Sequence, residues 1–162
     1  GGREYTREEM KLCAKKNFQK IKKIFGSKVD IAIENNNYYP TDAYRDVTDA
    51  KFISEIVNEN NIKFLFDIAH AKVTCFNKNI NFERYKRTLP MDRAVQVHIC
   101  TYSINSEINQ AYDAHSYPND EELLEVKKVI SEYPGIKYLT VEYYKDIENL
   151  EASLRSVKKL VW

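Results

Sequence analysis

A chain of 162 residues, 43% hydrophobic and 30% charged, has the length and composition of one soluble globular domain able to bury a core. Its net charge of +1 gives no electrostatic case for nucleic acid or an anionic membrane as a partner, and its apolar runs are too short to span a bilayer. Three widely spaced cysteines (Cys13, Cys75, Cys100) form neither a disulfide framework nor a zinc knuckle, and an odd count with no signal peptide is expected of a reducing, cytoplasmic setting.

In chain order, Thr6-Arg7-Glu8-Glu9 reads as a capping box that satisfies the first free amide donors of a helix. Apolar residues then recur at Met10, Ala14, Phe18, Ile21 and Phe25, one helical face closed by Gly26. Residues 28–33 read as a strand. A second helix is expected from about Thr48, with Phe52, Ile53, Ile56 and Val57 on one side. Residues 62–66 form an almost continuous apolar run, the pattern of a strand buried on both faces. A short helix over 82–88 stops before Pro90, and 94–99 is the third strand. Asn119 or Asp120 caps a helix bearing Leu123, Leu124, Val126, Val129 and Ile130, which ends near Pro134-Gly135. Residues 136–141 make the fourth strand. Ile147, Leu150, Leu154, Val157 and Leu160 mark a last helix.

Strands alternating with helices at roughly 30-to-40-residue intervals imply βα units and a parallel sheet. Two architectures fit: an open doubly wound sheet, complete as it stands, or a half-barrel supplying four of the eight βα units of a TIM barrel. In either, ligands gather beyond the carboxyl ends of the strands.

All three histidines fall in one string of metal-type ligands: Glu34, Asp67, His70, His98, Asp113, His115 and Glu142. Glu34, Asp67, His98 and Glu142 stand at or within a residue of the four strand ends. Glu34 and Asp67 follow apolar runs, where a carboxylate is costly unless paired, protonated or metal-bound. Each piece alone is modest. Asp67-x-x-His70, where strand gives way to loop, suits a structural pair as well as a ligand pair. His98 alone reads as a satisfied core histidine, and Glu142 could equally pair with a lysine. Asp113-Ala114-His115 is more telling, because residues two apart in an extended loop can chelate one ion. The ordered set carries the weight, and it favours the half-barrel, which converges its strand ends on one axis. Oxygen and imidazole donors suit iron, manganese or zinc and argue against a thiolate-built zinc site. Cys75 and Cys100 read as packing residues. Lysine pairs at 15–16, 22–23 and 158–159 read as solvated helix faces. There is no dinucleotide fingerprint, Walker A loop or GxSxG elbow.

The order Glu, Asp-x-x-His, His, Asp-x-His, Glu resembles the second half of the xylose isomerase-like TIM barrels, so residues 1–162 are expected to form a single domain, the C-terminal part of such a barrel. Sugar isomerases and epimerases of that superfamily use a simpler set, which Glu34, Asp67, His98 and Glu142 would satisfy. The added Asp113-x-His115 is expected in trinuclear members, the endonuclease IV type and the multinuclear iron-dependent oxidative enzymes that include the methanobactin-synthesis oxidase. Ile33-Glu34-Asn35, Leu65-Phe66-Asp67 with Asn77 ten residues on, Tyr85 to Pro90, Arg93 to His98, and Tyr112-Asp113-Ala114-His115 are similar to the iron group. His70 stands where that group usually carries Asn and the endonuclease type carries His. The resemblance implies that Glu34 bridges two metals, that Asp67, His98 and Glu142 complete a central ion, and that His70, Asp113 and His115 hold another. Glu34 and Glu142 would be the catalytic acids. It implies a cofactor of two or three iron ions, with zinc or manganese as alternatives. The activity implied is oxygen-dependent oxidation of residues, often cysteine, in a ribosomal peptide, with a peptide-presenting partner protein. The resemblance also implies an amino-terminal half-barrel bearing two more histidine ligands, whereas no histidine here precedes His70. The alternatives are zinc-dependent phosphodiester hydrolysis, single-metal sugar isomerisation, and a barrel remnant or binding module without activity.

Overall fold

A computed structural model describes residues 3–161; Gly1, Gly2 and Trp162 lie outside the described residues. The elements in order are α1 (Arg7–Phe25), β1 (Ala32–Glu34), α2 (Asp42–Arg45), α3 (Ala50–Asn60), β2 (Lys63–Asp67), α4 (Ile68–Lys78) and α5 (Phe82–Thr88). They continue with β3 (Ala94–Ile99), β4 (Thr101–Asn105), β5 (Gln110–Ser116), α6 (Asp120–Glu132), β6 (Tyr138–Val141) and α7 (Ile147–Val161).

The expected caps form. Thr6 Oγ1 accepts the Glu9 N–H at 3.2 Å, and the Glu9 carboxylate accepts the Thr6 N–H at 3.0 Å. Asn119 Oδ1 accepts from the Glu121 and Glu122 amides at 2.8 and 3.3 Å and starts α6. The helix expected from Thr48 begins two residues later, because Asp49 takes the cap and accepts the Phe52 N–H.

Strands β1, β2, β3 and β6 pair in that order, all parallel. Each new strand is added on the same side of the last. That is the sequential order of a barrel, whereas a doubly wound sheet reverses at a switch point. The sheet is therefore a partial TIM-barrel-like α/β fold. Its strands alternate. Phe64, Phe66, Val97 and Ile99 enter a helix-packed core with Ile53, Val57, Val126 and Val129. Leu65 and Gln96 lie opposite each other on the other face, and Asp67 and His98 follow one pleat on.

Three expectations are corrected. The strand read over 28–33 is only Ala32–Glu34, since β2 begins at Lys63, opposite Ala32, and offers 28–30 no partner. The loop expected after Asp67 is the helix α4, capped by Asp67 itself; its β-branched Val73 and Thr74 mask the helical period, and burial decides the matter. The extended loop around 113–115 is a strand, β5, in an antiparallel hairpin with β4. That hairpin turns through Asn109 at φ 48° and has too few apolar residues to show a clear alternation. Among the described residues no helix is long and apolar enough to cross a membrane.

Candidate metal centre

Local devices carry all seven candidate ligands to one end of the sheet. Glu34 and Asp67 are the last residues of β1 and β2. His98 sits directly across from Asp67 on β3, and Glu142 follows β6 with its N–H donated to Ile99 O at 3.0 Å. Asp67 Oδ1 accepts the His70 N–H at 2.6 Å, so the first turn of α4 holds that imidazole near the strand ends. Asp113 and His115 lie two apart on β5. His115 takes φ 41°, a left-handed conformation that costs a non-glycine residue about 1–3 kcal/mol, the kind of strain that gathers at functional sites. Its N–H donates to Asp113 Oδ1 at 3.2 Å.

The side chains close a ring in which carboxylates and imidazoles alternate. Glu34 Oε1 is 3.2 Å from His70 Nδ1, and His70 Nε2 is 3.2 Å from Asp113 Oδ2. That same oxygen is 3.0 Å from His115 Nε2, which is 3.4 Å from Glu142 Oε2. Glu142 Oε1 is 2.8 Å from His98 Nδ1, and 3.6 Å closes the circuit to Glu34 Oε1. Asp67 lies across the ring, 4.0 Å from His70 Nδ1 and 3.8 Å from His98 Nδ1. Among the described residues no lysine pairs with Glu142, so the lysine alternative falls away.

The electrostatics follow from this crowding. Burial opposes ionisation of Glu34, but His70 and His98 outweigh it and hold the carboxyl down to about 2. Burial likewise opposes charge on His70 and His98, yet their carboxylate partners raise them to about 11 and about 9. Asp67 behaves otherwise: its burial raises it to about 7. His98 lowers Glu142, with burial opposing. At Asp113, burial is outweighed by His70 and the His115 amide, which lower it. Imidazolium protons thus balance the acids where a metal cation would do the same.

Two buried polar atoms here lack a hydrogen-bond partner, Asp67 Oδ2 and His98 Nδ1. For Asp67 Oδ2 this costs about 1–3 kcal/mol, which an ion beside it would relieve; His98 Nδ1 is outside hydrogen-bond geometry but keeps its 2.8 Å ion pair with Glu142 Oε1. One donor atom each from Glu34, Asp67 and His98 lie within 4.8 Å of one another. Donors about 2.1 Å from a shared ion sit at most about 4.2 Å apart, and His98 Nδ1 meets that limit with Glu34, Asp67 and Glu142. The donor set therefore fits a divalent or trivalent cation. His98 turns its Nδ1 toward the carboxylates of Glu142 and Glu34 rather than into the apolar core.

Several supporting residues escape sequence reasoning. Asn35 is fully buried and clasps the Asp67 backbone, donating to its carbonyl and accepting its N–H, both at 2.9 Å. Its own carbonyl lies 2.9 Å from His70 Nδ1, leaving Nε2 for Asp113. Asn77, like Asn35 marked above only through the resemblance, donates to Tyr38 O and Ala111 O and accepts from the Ala111 N–H, pinning β5 to α4. Cys100 is buried, as expected of a packing residue, but its thiol also donates to Asp113 Oδ1 at 3.5 Å. The exposed Tyr144 places its hydroxyl 3.4 Å from His115 Nδ1. Nothing in composition or period marks these partners, because each acts across a long sequence separation. Cavity volume does not mark the site either. A cleft of 1070 Å³ between α4, the hairpin and α6 is lined by Lys72, Asn77 and Tyr102 and by none of the seven candidate ligands. The convergence of ionisable groups is the better guide, since an uncovered sheet face encloses little volume.

The chain is 22% identical over 131 residues to the UPF0276 protein VV3194 of Vibrio vulnificus strain YJ016, covering 80% of this chain and 45% of that one. The UPF0276 protein VV1_0952 of Vibrio vulnificus strain CMCP6 matches to the same extent. The chain thus spans about half the length of these relatives. Residues 4–161 match the family described as the RiPP precursor modification enzyme MbnB/TglH/ChrH, RiPP denoting a ribosomally made, post-translationally modified peptide. Matched over nearly its whole length, the chain belongs to that family.

Proposed function

We propose that the chain is the carboxyl-terminal half-barrel of an iron-dependent enzyme that uses oxygen to modify residues, cysteine above all, of a ribosomal precursor peptide. The observation that carries this reading is the closed ring of alternating carboxylates and imidazoles at the strand ends. Family membership supports the peptide substrate. Asp67, His98 and Glu142 would hold one ion, and His70, Asp113 and His115 a second, with Glu34 between them. Bound there, iron supplies redox chemistry and a Lewis-acidic position for a thiolate or oxygen donor. Glu34 and Glu142, partly exposed at the strand ends, would be the catalytic acids, placed where an incoming substrate could lose a proton to them. Asn35 and Asn77 keep the two ligand groups in register.

The half-barrel reading rests on the two open edges of the sheet. β1 and β6 each pair on one side only. Apolar side chains stand exposed beside both edges, Ile24, Phe25 and Val29 near β1 and Tyr138 and Leu154 near β6. Further βα units, from a longer protein, would cover them and add the remaining ligands.

A second reading, zinc-dependent phosphodiester hydrolysis, is favoured by His70, whose ring contacts both Glu34 and Asp113. The net charge of +1 weighs against a DNA substrate. Metal analysis of the aerobically purified full-length protein separates the two. Iron at two to three equivalents is expected, whereas zinc alone, together with nicking of abasic DNA, would overturn the oxidase reading.

A further inference from the structure

His98 meets the carboxylates with Nδ1, which lies 2.8 Å from Glu142 Oε1 and 3.8 Å from Asp67 Oδ2 and is buried outside hydrogen-bond geometry. Its other nitrogen, Nε2, is 2.9 Å from the amide end of Gln96, and the same amide nitrogen is 2.9 Å from Thr140 Oγ1. Gln96 precedes His98 by one pleat on the same face of β3, and Thr140 is the β6 residue opposite His98. The three side chains form a small polar chain behind the ligand, on the side away from the cluster.

An imidazole that offers a lone pair at Nδ1 carries its proton at Nε2, and that proton needs an acceptor. The charged ring, with protons on both nitrogens, needs one too. Only the neutral tautomer with its proton at Nδ1 suits an amide nitrogen facing Nε2, which is how Gln96 is placed. A half-turn about the last side-chain bond exchanges nitrogen for oxygen, and the Thr140 hydroxyl can donate to that oxygen as readily as accept from the nitrogen.

We propose that Gln96 is a positioning residue that presents its amide oxygen to His98 Nε2–H, fixing the tautomer in which Nδ1 is free to bind the ion. The proposal rests on the metal-site reading above. Partners of this kind orient a ligand histidine, and their loss costs about 10- to 100-fold in metal affinity.

The two roles open to Gln96 are separated by substitutions of opposite polarity. Gln96→Glu can only accept, while Gln96→Met keeps length and bulk but does neither. The affinity of the full-length protein for zinc, and for iron(II) without oxygen, is measured by competition with a chromophoric chelator. Histidine 15N NMR of the zinc-loaded protein reports which ring nitrogen carries the proton. Glu at this position should stay within about threefold of wild type and keep the Nε2–H signal, whereas Met should lose about 10- to 100-fold. Gln96→Leu serves as a second apolar replacement should the Met variant fold poorly. Wild-type affinity in a folded apolar variant overturns the proposal, as does loss of the ion in the Glu variant alone, which would mean that a donor is required. Wild-type protein that takes up no ion overturns the metal-site reading itself, and this proposal with it.

Discussion

Asn35→Ala removes the clasp on Asp67, the most buried of the candidate ligands. Asn35 and Asp67 are both fully buried, and two hydrogen bonds of 2.9 Å join the Asn35 amide to the Asp67 N–H and C=O. Truncation leaves the Asp67 N–H unpaired in a dry site and takes one of two donors from its carbonyl, which as the N-cap also accepts the first bond of α4, so a loss of about 1–3 kcal/mol is expected. A water entering the vacated space would bring the loss toward the lower figure. Against a total stability of about 5–15 kcal/mol for a typical domain, this is a large share. Asn35→Asp separates packing from polarity, since it keeps the acceptor for the Asp67 N–H but sets a carboxylate against the Asp67 carbonyl; it should cost at least as much as Ala. Equilibrium urea unfolding followed by circular dichroism measures both, with the slope held as a check on two-state behaviour. Losses below about 1 kcal/mol in both variants would refute the argument that this clasp holds β2 and the Asp67 carboxylate in place.

Two further outcomes are expected. Asn77→Ala deletes three hydrogen bonds between α4, Tyr38 and Ala111; about 1.5–4.5 kcal/mol should be lost, with hydrogen exchange rising in β4 and β5 first. Unchanged exchange there would show that the hairpin holds itself. The second concerns protons. His70 and His98 have folded pKa values of about 11 and about 9, above the ordinary 6.5. In metal-stripped protein, the stability from their pairings is therefore fully present below about pH 6.5 and lost as pH rises through about 9 and then about 11. An ion must displace these protons, so zinc loading in weak buffer near pH 7.5 should release about two per protein, and affinity should climb with pH. Release of less than one proton, read with an indicator dye, would mean that the rings are already neutral.

Much of this protein is legible along the chain. Five helices declare themselves by period and caps, Thr6 and Asn119 among them, and local chemistry suffices there because a cap and an apolar face lie within a few residues. The β-branched strands β2 and β3 show for the same reason. The seven candidate ligands could be named because acids and histidines at the ends of apolar runs are expensive without a partner. Tertiary structure alone decided the rest. The sequential order β1-β2-β3-β6, which makes a barrel fragment and not an open doubly wound sheet, depends on which strands pair, and pairing leaves no trace in period or composition. The polar hairpin of β4 and β5 is tied to α4 by Asn77, more than thirty residues earlier, which pairs with the backbone of Ala111. The alternation of acid and imidazole around the ring, the crowding of Asp67 against His98, and the contact of Gln96 with Thr140 arise from strands that meet only in space. Sequence determined which groups would have to find partners; only the fold determined that they find one another.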